Sequence, residues 1–138
     1  MSPLRSETLP LRTDEDMLRV RQTVRAWMVE LAFNLVEQTM MVTATSELAC
    51  NTVVYGGGGS ARLELLADSD RQGVRVTFED QGAGIADIEQ ALKDGYTTGA
   101  GSGLGLGGSK RLVDDFDIWS EVGKGTRVTI TKWTLRHP

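Results

Sequence analysis

Asp80-Gln81-Gly82-Ala83-Gly84-Ile85 sets a carboxylate and two glycines directly after residues 74–79, whose apolar character reads as a strand. A short helical pattern follows over residues 85–92. Gly82 and Gly84 let backbone lie close against a flat ring. A carboxylate at a strand's end can accept a hydrogen bond from the exocyclic amine of adenine, whereas guanine carries an oxygen there and would be repelled. Taken alone, the same six residues also make an ordinary strand-to-helix turn. Their flanks decide between the two.

Upstream, residues 61–67 and 74–79 read as a hairpin around the polar turn at residues 68–73. Before it, residues 40–55 have helical spacing, with Thr39 as the expected N-cap and glycines 56–59 ending the helix. Glu47 and Asn51 stand four apart in this helix and so share one face. A Glu can take a proton from a hydroxyl. An Asn carbonyl oxygen suits the hard cation Mg²⁺. As an isolated pair they would be a solvated polar stripe. Cys50 between them reads as a small buried residue. Residues 14–34 form an earlier amphipathic helix with Asp14, Glu15 and Asp16 at its favoured end. Residues 7–13 read as a strand that Pro10 confines to a sheet edge.

Downstream, Gly99-Ala100-Gly101-Ser102-Gly103-Leu104-Gly105-Leu106-Gly107-Gly108 runs into helical spacing over residues 104–116. Free N–H groups at such a start suit phosphate. Two strands, residues 117–122 and 126–133, close the chain around Gly123-Lys124-Gly125. The formal G-x-G-x-x-G at Gly103, Gly105 and Gly108 follows a loop late in the chain, not the first strand of a βαβ unit, which argues against a dinucleotide fold. No Walker A motif occurs. The one histidine, His137, rules out an H-R-D kinase loop and argues against a Ser-His-Asp triad.

The expected architecture is α/β: a two-layer sandwich with helices on one face of a mixed, mostly antiparallel sheet, in a single domain over residues 1–138. A formal net charge of −4 argues against non-specific nucleic-acid binding. The longest apolar runs fall short of a membrane span and no secretory signal is evident, so a cytoplasmic location is expected.

Glu47-x-x-x-Asn51, Asp80-x-Gly82-x-Gly84 and Gly101-x-Gly103-Leu104-Gly105, in that order, resemble the N, G1 and G2 boxes of the GHKL superfamily, which implies its Bergerat ATP-binding fold. Ser46-Glu47-Leu48-Ala49-Cys50-Asn51, Tyr55-Gly56-Gly57, Ala91-Leu92-Lys93-Asp94-Gly95-Tyr96-Thr97-Thr98, Gly108-Ser109-Lys110-Arg111-Leu112-Val113-Asp114-Asp115-Phe116 and Val122-Gly123-Lys124-Gly125-Thr126 resemble the RsbT type. These are small bacterial serine/threonine kinases of partner-switching pathways. The resemblance implies that Glu47 activates the acceptor hydroxyl and Asn51 holds Mg²⁺. It also implies that Asp80 reads the adenine of ATP, with Gly82, Gly84, Ile85 and Thr126 beside it. Gly101, Ser102, Gly103, Leu104 and Gly105 would cradle phosphates. The implied partners are a STAS-domain substrate and a PP2C-type phosphatase, and a homodimer is allowed. A nucleotide-dependent binding module with little turnover is the competing expectation, and a detached histidine-kinase catalytic domain the third.

Overall fold

The computed structural model describes residues 2–93 and 105–136. Five strands form one sheet: β1 (Arg5–Leu11), β2 (Gly59–Ala67), β3 (Arg71–Asp80), β4 (Asp115–Glu121) and β5 (Gly125–Leu135). The helices are α1 (Asp14–Glu30), α2 (Leu35–Val54), α3 (Ile88–Ala91) and α4 (Gly105–Arg111). The strand order is β1-β2-β3-β5-β4. Every neighbouring pair is antiparallel, the limiting case of the mostly antiparallel sheet expected. Pro10 lies in β1, an edge strand, the position to which its missing N–H confines it.

The register explains the two layers. Leu9 opposes Ala61, Leu63 opposes Val76, and Val76 opposes Ile130, so these side chains share one face. On that face they join Val20, Val24, Trp27 and Met28 of α1 and Met41, Ala44 and Leu48 of α2 in one buried cluster. The alternate residues of the same strands carry charge. Arg75 Nε donates to Glu64 Oε1 at 2.9 Å, and Arg71 stacks 3.9 Å above the Trp133 ring.

The short helix expected over residues 85–92 spans only Ile88–Ala91, and β1 lies two residues earlier than expected; among the other boundaries that differ, three have a local reason. The first helix stops at Glu30, not residue 34, because Ala32 adopts a positive φ of 62°. The second helix starts at Leu35, five residues earlier than expected. Asn34, not Thr39, is its N-cap: Asn34 Oδ1 accepts from Glu37 N at 2.8 Å and Glu37 Oε1 accepts from Asn34 N at 2.9 Å. The helix expected over residues 104–116 ends at Arg111, and Phe116 lies in β4 opposite Ile130. Asp114 accounts for the switch. Its N–H donates to Thr131 O at 3.0 Å and its carboxylate accepts from Trp133 N at 2.7 Å, which draws the chain onto β5. Buried Lys132 adds a tie, its Nζ donating to Leu112 O at 3.0 Å just past α4.

Glu64 lies on the open face of the sheet yet is only 7% exposed. The hydrogen bond from Arg75 holds its carboxyl below the ordinary glutamate range. Stability from this pair is therefore present above the ordinary range and lost as pH falls through the lowered value. In urea titrations, Arg75→Met should lose about 1–2 kcal/mol at neutral pH, and the deficit should shrink on acidification. An equal deficit at both pH extremes would assign the loss to packing alone.

Candidate functional site

A cavity of about 500 Å³ opens beside the end of β3. Its floor is apolar, with Phe78 of β3 and Val128 of β5 directly opposed in the sheet. One wall is the α2 face that carries Glu47, Leu48, Asn51, Thr52 and Tyr55, spaced at one helical turn. The facing wall is the turn after β3. Gly105 and Leu106 at the start of α4 close one side.

Asp80 stands at the last position of β3, opposite Thr126 of β5. Its Oδ1 accepts from Gly82 N at 2.9 Å. Burial pushes its carboxyl above the ordinary aspartate range, against the lowering effect of N–H donors from Gly82 and Thr126. Gly56, just past α2, allows this placement, since a Cβ there would run into the Asp80 carboxyl group. The same crowding gives Gly82 its role. A Cβ on Gly82 would lie 2.8 Å from Gly56 Cα, so Gly82 serves backbone packing and is not among the cavity-lining residues. Gly84 does line the cavity; its φ is +79°, and a Cβ there would strike the Glu121 carbonyl.

The turn is strapped to the β4–β5 hairpin. Gly123 N donates to Ala83 O at 2.8 Å, and Ile85 N donates to Ser120 Oγ at 2.7 Å. Ser120 also donates to Gly125 O at 2.9 Å and lies 2.8 Å from Thr126 Oγ1. Sequence reading did not single out Ser120. It is one polar residue in an alternating strand, and only the pairing of β4 with β5 brings it behind the site.

Glu47 is 3% exposed, and its Oε1 accepts from Gly105 N at 2.8 Å. The N–H of Gly105, a residue expected at the phosphates, is directed at Glu47 in this structure, and Gly105 itself lines the cavity. The reason is local, because α2 and α4 pack together and bring a helix-start donor onto the nearest buried carboxylate. The expectations for Gly101, Ser102, Gly103 and Leu104 fall outside the described residues. The structure thus gathers Glu47, Asn51, Asp80, Gly84, Ile85, Gly105 and Thr126 around one space.

Among the described residues no group of three or more His, Cys, Asp or Glu side chains could hold a metal by itself. On the α2 wall of the cavity, the amide oxygen of Asn51 and the carboxylate of Glu47 fit Mg²⁺ bound chiefly through phosphate and water.

A histidine kinase-like ATPase domain model matches residues 11–132. The serine/threonine-protein kinase RsbT of Bacillus subtilis (strain 168) is 42% identical over 123 residues, covering 89% of this chain and 92% of that protein. The chain belongs to the RsbT-type branch of the histidine kinase-like ATPase family. An anti-sigma F factor of Geobacillus sp. (strain WCH70) is 31% identical to this RsbT-type chain over 91% of its length and 88% of the relative's. The fold recurs in the RsbU and RsbW domains of a Mycobacterium tuberculosis protein, at a TM-score of 0.63 and 22% identity. That match covers 99% of this chain and 34% of the other. Among the described residues of this RsbT-type chain, no helix is long and apolar enough to cross a membrane.

A carboxyl raised by burial disfavours the folded state once it ionises. Its stabilising effect belongs to acid pH and is lost as pH rises through the raised value. Asp80→Asn should therefore unfold at higher urea concentration than the parent at neutral pH, with the advantage narrowing on acidification. A variant less stable than the parent at neutral pH would contradict the burial account.

Proposed function

We propose that this chain is a serine/threonine kinase that moves the γ-phosphoryl of ATP to a hydroxyl of a STAS-domain partner in a bacterial partner-switching pathway. The observation that carries the reading is the convergence of Glu47, Asn51 and Asp80 on one cavity. The 42% identity to a protein named as a serine/threonine kinase supports the reaction class. Its cytoplasmic setting and a second partner of the PP2C phosphatase type belong to the same proposal.

In this reading the adenine ring lies over Phe78 and Val128, its amine donating to the Asp80 carboxylate. The apolar floor favours a flat ring, and burial strengthens the polar contact. Asn51 would hold Mg²⁺, which offsets charge on the transferring phosphoryl. Glu47 accepts the proton of the partner's serine or threonine hydroxyl. The oxygen then bonds to the γ-phosphorus, the bond to the β-phosphate oxygen breaks, and ADP departs. Positioning supplies most of the rate. Three of the expected phosphate-facing residues, Gly101, Ser102 and Gly103, belong to the same proposal, with Leu104 beside them.

One observation favours the second reading, a nucleotide-shaped binding module. Glu47 Oε1 is engaged by Gly105 N–H at 2.8 Å, and in that arrangement the carboxylate is less available as a base. Incubation of the chain and its STAS partner with γ-labelled ATP separates the two. The kinase predicts labelled phosphoserine or phosphothreonine on the partner. Glu47→Ala should lower transfer by about 100-fold or more with ATP affinity kept. A stable complex with no label would leave the module, and undiminished transfer by the variant would remove Glu47 from the chemistry.

A further inference from the structure

We infer that Ser120 is a positioning residue for base specificity: it holds the Thr126 hydroxyl as an acceptor toward the cavity, so that a 6-aminopurine is favoured over a 6-oxopurine. This rests on the reading of the cavity as an adenine site.

A serine hydroxyl has one proton to give and two lone pairs to accept with. Ser120 Oγ has three neighbours at hydrogen-bond distance. The Gly125 carbonyl at 2.9 Å can only accept, and the Ile85 N–H at 2.7 Å can only donate. Both are backbone groups and cannot reverse their polarity. The Ser120 proton therefore goes to Gly125, and one lone pair is taken by Ile85. The third neighbour, Thr126 Oγ1 at 2.8 Å, must then donate to the remaining lone pair. This arrangement satisfies every group, and reversing the Ser120–Thr126 bond would leave the Gly125 carbonyl without this donor.

The consequence falls on Thr126. Its only hydroxyl proton points back toward Ser120, so the oxygen can offer only lone pairs elsewhere. Thr126 lines the cavity directly opposite Asp80, whereas Ser120 is not among the lining residues. An ionised Asp80 is also acceptor-only. The base edge thus meets two acceptors side by side. The amine at the purine 6-position has two protons and can donate to both, whereas a 6-oxopurine has only its N1–H to give and sets its carbonyl against the other oxygen. Without the Ser120 hydroxyl, the Thr126 proton is released to turn and donate to a carbonyl.

The test is competitive displacement of a fluorescent ATP analogue from the full chain by ATP and by inosine triphosphate, with Mg²⁺ present. The parent should prefer ATP. Ser120→Ala should narrow the ATP-to-inosine-triphosphate affinity ratio by about tenfold. Ser120→Thr, which keeps the hydroxyl, should hold the ratio within about threefold of the parent. Thr126→Val should narrow it as the alanine variant does, and decides the matter if Ser120→Ala fails to fold by circular dichroism. An unchanged ratio in Ser120→Ala, including an equal loss for both nucleotides from a loosened Ile85 turn, overturns the inference. So does a narrowed ratio in Ser120→Thr or the parent's ratio in Thr126→Val. A parent that binds ATP without preferring it sinks the inference alone; a parent that binds neither nucleotide sinks the adenine reading with it.

Discussion

The antiparallel pairing of β3 with β5 is the constraint on which the site depends. It runs from Arg71 opposite Leu135 to Asp80 opposite Thr126, so the final rung of the ladder carries two of the polar groups of the cavity. The rung before it on the same face, Phe78 opposite Val128, supplies the apolar floor. A shift of one residue would send Asp80 and Phe78 to the open face, because side chains alternate strictly along a strand. The ladder that buries Val76 against Ile130 thus also sets the aim of the carboxylate.

The site is bought at some cost to the fold, and the cost is visible in two carboxylates. Asp80 is held above its ordinary range by burial. Glu47, 3% exposed, sits on the inner face of α2 where an apolar residue would pack without a desolvation penalty. Both are bonded to backbone N–H groups of glycines, Gly82 for Asp80 and Gly105 for Glu47. Backbone donors offset part of the penalty and leave the side chains pointed into the cavity. The glycines serve this purpose through their lack of a Cβ, most plainly at Gly56 and Gly82, where two backbone segments meet against Asp80.

Local chemistry was legible wherever a residue acts within its own element. Glu47 and Asn51 share a face because helices repeat every 3.6 residues, and the structure places both on the cavity. Asp80 ends a strand because apolar residues precede it and glycines follow. Pro10 on an edge strand, the Gly123–Gly125 hairpin and the capping acids of α1 follow from backbone rules alone. What failed were contests between comparable local signals. Asn34 with Glu37 outcompeted Thr39 as a cap through a reciprocal pair of hydrogen bonds. Phe116 fits a helical or a strand pattern equally, and the partner strand decided it.

By itself, the sequence determined the family, the order of the elements and three polar residues that reach the cavity, Glu47, Asn51 and Asp80, since each is set by residue type and short-range spacing. Tertiary structure alone decided how those groups are bonded. Ser120 enters the site only when β4 pairs with β5, and Gly105 turns its N–H to Glu47 only when α4 packs on α2. Hydrogen-bond direction between residues 35 or 58 positions apart depends on relative placement in space, which no local pattern encodes.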